Sequence, residues 1–146
     1  QIQRNRSVMS ILILDLDHFK RINDQHGHHY GDQVLKFFAD SLSQHFRSTD
    51  SVSRWGGKEF LILMPDTTII EAHTVATRAI DALAAKPFNY NSISTTITIS
   101  GGLCELNHGT QLETALQTAD ERLYLAKSLG RNQIVTTDQH QLRKTL

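Results

Sequence analysis

The stretch that most constrains this chain is Arg54-Trp55-Gly56-Gly57-Lys58-Glu59-Phe60, where two adjacent glycines separate two apolar runs. Residues 51–55 and 60–64 are expected to pair across it as a hairpin, because adjacent glycines reach the positive φ that a two-residue turn demands. A turn without side chains also lets a ligand approach the backbone. A second polar cluster, Asp15-Leu16-Asp17-His18-Phe19-Lys20, closes the run Ile11-Leu12-Ile13-Leu14. Carboxylates at a strand end, with a lysine and a glycine hairpin nearby, suggest a site for metal and phosphate.

The hydrophobic pattern supplies the frame around these clusters. Residues 10–15 form an apolar run ending in acid, as a central strand buried on both faces does. A short helical turn over 18–23 follows. Gly27 and Gly31 are then expected to break the chain before a helix whose Val34, Leu35, Phe38, Leu42 and Phe46 share one face. Thr68 and Glu71 have capping-box spacing and open a helix with Ala72, Val75, Ala76, Ala79, Ile80 and Leu83 inward, ended by Lys86-Pro87. Residues 89–94 read as polar loop. Residues 95–103 alternate Thr and Ile as a half-buried strand does, with Gly101-Gly102 marking a bulge. Thr110 and Glu113 repeat the capping-box spacing before a helix with Leu112, Ala115, Leu116, Ala119, Leu123 and Ala126 inward, stopped by Gly130. A last strand over 133–135 precedes a polar tail, 136–146, expected to fray. This order predicts an α/β chain with helices packed on a central antiparallel or mixed sheet.

At 146 residues the chain suits one domain spanning 1–146. Its 15 basic and 15 acidic side chains balance, so nothing global favours nucleic acid or an anionic membrane surface, and an anionic ligand needs a local cluster. The single Cys104 forms no intrachain disulfide and reads as a small buried apolar residue. No apolar run is long enough to span a bilayer, and a cytoplasmic domain is the expectation. His26, His28 and His29 lack the spacing or the cysteines of a zinc site.

The glycine-pair loop, together with Asp15-Leu16-Asp17-His18-Phe19-Lys20-Arg21-Ile22-Asn23-Asp24, Gly27-His28, Gly31-Asp32 and Ala126-Lys127-Ser128-Leu129-Gly130-Arg131-Asn132, resembles the GGDEF family in content and order. These are the diguanylate cyclases, which join two GTP molecules into cyclic di-GMP with release of pyrophosphate. The resemblance runs from about Met9 to Val135 and implies the palm-like fold of nucleotide cyclases and polymerases, with a mainly antiparallel central sheet and packed helices. It also implies an Asp-x-Leu-Thr segment and a helix ahead of this point, so Gln1 to Ser7 looks cut from something longer, with a sensor domain on the N-terminal side.

By the same resemblance, Asp15 and the carbonyl of Leu16 would hold Mg2+ or Mn2+. Lys20, Lys127 and Arg131 would hold phosphates, with Gly56 and Gly57 giving access to the backbone. Asn23 and Asp32 match the pair that reads guanine, since a carboxylate accepts from its N1 and N2 hydrogens while adenine presents the opposite pattern. Read without the family, Asn23 is a turn residue, Asp32 a helix cap, and Asp17 a cap for the turn after it. Arg47 and Asp50, with Arg78 on the following helix, match a product-inhibition site for cyclic di-GMP; an Arg-x-x-Asp pattern alone is a surface ion pair. Catalysis would require a homodimer.

One letter departs from the family. Its third loop position carries Asp or Glu, and this chain has Lys58. An ammonium within about 4 Å of a divalent cation opposes it by several kcal/mol even at a surface-like dielectric, so metal affinity is expected to fall. Lys58 is alternatively expected to pair with Asp15 and stand in for the cation, holding triphosphate without activating it. Glu59, next along an extended strand, is expected to point to the other face. Three readings compete: a weakened cyclase, an inactive sensor of GTP or cyclic di-GMP, and a dimerisation module without nucleotide binding. Intact Asn23, Asp32, Lys127 and Arg131 argue against the third.

Overall fold

The computed structural model describes residues 8–137. In chain order its elements are β1 (Met9–Leu16), α1 (Phe19–His26), α2 (His28–Ser43), β2 (Ser51–Arg54), β3 (Glu59–Pro65), α3 (Ile69–Ala84), β4 (Phe88–Tyr90), β5 (Ile93–Thr95), β6 (Ile99–Leu106), α4 (Leu112–Ser128) and β7 (Ile134–Val135). Five strands form one sheet in the order β2-β3-β1-β6-β7, antiparallel except where β7 runs parallel to β6. The α/β, mainly antiparallel architecture expected from the pattern is the one observed.

Strand β1 is central because it is apolar on both faces. Ile11 and Ile13 pack with Leu61, Cys104, Ala115, Ala119 and Leu123, which places α4 on that side. Leu12, Leu14 and Leu16 point oppositely into the larger core with Val34, Phe38 and Leu42 of α2 and Ala72, Ala76 and Ile80 of α3. Both faces of the strand are therefore sealed, and its only route to a ligand is through its end at Asp15 and Leu16.

Several local expectations are corrected. Arg54 pairs with Phe60, and Trp55 N donates to Glu59 O at 2.8 Å, so residues 55–58 form the loop in place of a two-residue turn. Neither Gly56 nor Gly57 has a left-handed φ. The helix expected to end at Asn23 continues to His26. Gly31 lies inside α2 and does not break it; a Cβ there would sit 1.8 Å from Asn23 Oδ1, so the glycine is needed for close packing. Phe46 falls beyond the C-terminus of α2 but packs on the same core.

The stretch read as polar loop forms the hairpin β4–β5, with Asn91 (φ 52°) and Ser92 (φ 65°) both left-handed at its turn, the requirement of a type I′ connection. The single strand expected over 95–103 is accordingly split between β5 and β6.

Gly101 and Gly102 make no bulge, since the β1–β6 register runs through them unbroken, Leu14 to Gly101 and Ile13 to Gly102. Their smallness serves packing. A Cβ on Gly102 would lie 2.0 Å from Ala119 O and 2.3 Å from Leu123 N, so the backbone of α4 rests directly on β6. The capping box at Thr68 and Glu71 is present with both reciprocal bonds. The second is not: α4 is preceded by Gln111 without a side-chain cap, and Thr110 Oγ1 instead donates to Asn107 Oδ1 at 3.3 Å. Leu112, expected inward, is exposed in the first turn of that helix.

The two kinds of glycine are separable by stability. Gly102→Ala drives a methyl into helix backbone and is expected to destabilise by about 1–3 kcal/mol or more. Gly57→Ala meets open space and is expected to stay within about 0.5 kcal/mol of the parent. Urea denaturation of both variants checks the contrast.

Candidate functional site

Asp15 ends the central strand fully buried, and its carboxylate is the focus of the site. Oδ2 pairs with Lys127 near the end of α4 and lies 3.8 Å from Lys58 Nζ in the loop. Oδ1 is buried with no hydrogen-bond partner among the described residues. The expected pairing of Lys58 with Asp15 is therefore present, and Lys127, assigned to phosphate by resemblance, shares the same carboxylate. Leu16 N donates to Lys58 O at 3.4 Å, which anchors the loop residue beside the strand end.

Glu59 is corrected. It stands opposite Asp15 in the β1–β3 register, and directly opposed residues in an antiparallel pair project to the same face. Its carboxyl pKa is raised, first by burial and then by the charges of Asp15 and Asp120, while Lys127 and Lys58 pull it down. The carboxyl groups of Asp15, Glu59 and Asp120 and the ammonium groups of Lys58 and Lys127 thus act on one another at this strand end.

Asp17 is not a cap. It is buried and accepts from Thr98 Oγ1 at 2.6 Å, Ser100 Oγ at 2.7 Å and Asn132 N at 3.1 Å. These bonds fasten the entry of β6 and the turn after α4 to the end of β1. With its oxygens so engaged, Asp17 belongs to the scaffold.

Toward Asn23 and Asp32 the site opens into a cleft of about 700 Å³ between α1, α2 and the loop, with Gly56, Gly57 and Lys58 also in its wall. Asn23 Oδ1 is buried without a hydrogen-bond partner among the described residues, held against Gly31, while Asp32 is exposed. A second cleft of about 380 Å³ takes Lys20, Arg21, Asp24, Lys58, Lys127 and Arg131. The two adjoin at Phe19, Lys20 and Lys58. Lys20 pairs with Asp24 at 3.0 Å on an exposed surface, a weak restraint that leaves it able to turn to a ligand. Arg54, which sequence reasoning passed over, donates from Nη2 to Gly57 O at 3.0 Å and braces the loop. Among the described residues neither φ nor crowding requires glycine at Gly56 or Gly57.

Arg47 and Asp50 lie elsewhere. Arg47 donates to Asp50 through its backbone N (2.8 Å), Nε (3.3 Å) and Nη2 (3.0 Å), and Nη2 also reaches Pro65 O (3.1 Å) and Thr67 Oγ1 (2.6 Å). The bond to Asp50 is the main cause of its raised pKa. Thr67 as a partner was not legible in the sequence. Arg47 stands between two hollows of about 250 Å³ each, and exposed Arg78 lines the second with it. Of His26, His28 and His29, two have ring or hydrogen-bond partners: His26 contacts the Tyr30 ring, and His29 Nε2 hydrogen-bonds the Tyr90 hydroxyl at 2.9 Å.

The family model described as "Diguanylate cyclase, GGDEF domain" matches residues 1–133. The chain belongs to the GGDEF family. It is 37% identical over 131 residues to diguanylate cyclase DgcP of Pseudomonas aeruginosa, covering 90% of this chain and 20% of that protein, so the chain spans about a fifth of that relative. The GGDEF domain of DgcB from Caulobacter crescentus, solved in complex with c-di-GMP, superposes with TM-score 0.85 at 28% identity, covering 89% of this chain and 78% of that one. The active GGEEF domain of a diguanylate cyclase from Vibrio cholerae superposes with TM-score 0.84 at 32% identity, covering 92% and 85%. Where that active domain has GGEEF, this GGDEF domain has Gly56-Gly57-Lys58-Glu59-Phe60.

Magnesium, which the family's cyclases use, does not fit the residues as placed. The orphaned Asp15 Oδ1 would suit a cation, but Oδ2 already carries two ammonium partners, and no group of three His, Cys, Asp or Glu residues converges among the described residues. A small ion that demands near-octahedral oxygen ligation would meet two positive charges at its principal ligand.

Proposed function

We propose that this GGDEF domain acts in cyclic di-GMP signalling by binding guanine nucleotide, with its cyclase chemistry suppressed by Lys58. The observation that carries the reading is the pair of adjoining clefts. Asn23 and Asp32 offer guanine-edge partners in one, and Lys127 and Arg131 offer cations in the other. A nucleoside triphosphate has this polarity, a hydrogen-bonding base at one end and anionic oxygens at the other. Suppression follows from the charge at the third loop position, where a metal-binding carboxylate is replaced by an ammonium already engaged with Asp15. Any residual synthesis would proceed in a homodimer, with each copy presenting one GTP, and in a protein whose N-terminal portion supplies the signal.

A second reading, a receptor for cyclic di-GMP through Arg47, Asp50 and Arg78, is favoured by the two hollows that meet at Arg47. Binding there would have to exchange part of the Arg47 hydrogen-bond set for guanine and phosphate contacts, which charge-assisted bonds of equal kind allow. Neither hollow involves Asp15, so this site would be indifferent to Lys58.

Three measurements test these readings. Calorimetric titration is expected to give tighter binding of GTP than of ATP, with Asp32→Ala lowering GTP affinity by roughly 1–3 kcal/mol and erasing the preference. Equal curves for the two nucleotides overturn the guanine assignment. Turnover of GTP with magnesium is expected to be near background for the parent and to rise well above it in Lys58→Asp; robust synthesis by the parent overturns the suppression. Titration with cyclic di-GMP is expected to show binding that Arg47→Ala weakens by about tenfold or more, and superimposable curves return Arg47 and Asp50 to a structural ion pair.

A further inference from the structure

Lys58 sits where the two clefts adjoin, and it is the one residue of the loop that reaches both the buried Asp15 carboxylate and the open phosphate end. Its side chain is 42% exposed while Asp15 is wholly buried; the ammonium lies 3.8 Å from the carboxylate, and the residue lines both clefts. A divalent ion in a nucleotide site bridges a protein carboxylate to phosphate oxygens. Around the phosphate cleft, five cationic side chains, Lys20, Arg21, Lys58, Lys127 and Arg131, face a single lining carboxylate, Asp24. Lys20 is paired with Asp24, and Lys58 and Lys127 are the partners of Asp15, so the cleft keeps a positive excess to receive a polyanion only after both carboxylates have been offset.

Resting on the nucleotide-binding reading above, the geometry points to Lys58 as a built-in cation: the domain binds metal-free GTP, with the Lys58 ammonium bridging Asp15 and the triphosphate. Binding is then independent of divalent metal, and the ligand class is the free nucleoside triphosphate, not its magnesium complex. The lysine both excludes the ion and replaces its electrostatic role. It supplies no bent coordination geometry and no activated hydroxyl, so the bound nucleotide is retained unreacted.

The test is a calorimetric titration with GTP in excess EDTA and, separately, in excess magnesium, on the parent, Lys58→Ala and Lys58→Asp, each checked for folding by circular dichroism. The parent is expected to bind in EDTA as tightly as in magnesium, or more tightly. Lys58→Ala is expected to lose about tenfold or more in EDTA, the loss of a charge-assisted phosphate contact. Lys58→Asp is expected to bind poorly in EDTA and to recover with magnesium. Parent binding that requires magnesium overturns the built-in cation and leaves the nucleotide-binding reading intact. Undiminished binding by Lys58→Ala in EDTA does the same. No binding by the parent in either buffer overturns the nucleotide-binding reading and this inference with it. Should Lys58→Ala fail to fold, Lys58→Gln takes its place with the same expected loss in EDTA, and undiminished binding by that variant overturns the built-in cation.

Discussion

The Asp15 carboxylate is the constraint on which the rest of the site depends. A wholly buried charge is tolerated only when compensated, because its desolvation outweighs most single favourable contacts. Compensation here comes from a helix 112 residues further along the chain and from a loop across the neighbouring strand. Asp17, two residues on, solves the same problem differently, with two hydroxyls and a backbone amide. The difference separates scaffold from site. Neutral donors lock Asp17 into a closed arrangement, while Asp15 is held by two ammonium groups on one oxygen and keeps the other without a hydrogen-bond partner among the described residues.

Charge at one loop position therefore decides what kind of chemistry the cleft admits. With Lys58 in place, Asp15 has two ammonium partners and the adjoining cleft is cationic, a combination that suits holding an anion. Asn23 and Asp32 stand on different elements, α1 and α2, with Asn23 packed on Gly31. The two clefts are thus walled by physically separate parts of one domain.

Legibility in the sequence followed the range of the interactions involved. The central strand and the Thr68 capping box were readable because their causes lie within a few residues. The β4–β5 hairpin was missed because its turn uses Ser92 at a positive φ, where glycine would have announced it. Gly101 and Gly102 were noticed but misread, since Gly102 answers to the backbone of α4 and Gly101 to the side chains of Leu12, Leu14 and Ile134, none of them visible from the strand itself. The face of Glu59 depends on register set by a loop longer than two residues, and Asp17 bonds to side chains 81 and 83 positions away. No local pattern carries such information. Roles for Asn23, Asp32, Lys127 and Arg131 came from family resemblance, and the structure's contribution was to place them around adjoining clefts.

The absence of internal packing on Gly56 and Gly57 has a consequence for how such a domain can change over generations. A substitution at either glycine meets at most ordinary contact, whereas one at the third residue removes part of the compensation of the buried Asp15 carboxylate. Gly102 is the opposite case, since its replacement disturbs the seating of a whole helix. A lineage can therefore vary the two glycines at little cost to folding, while a change at the third position acts on the charge beside Asp15 and one at Gly102 on the architecture itself.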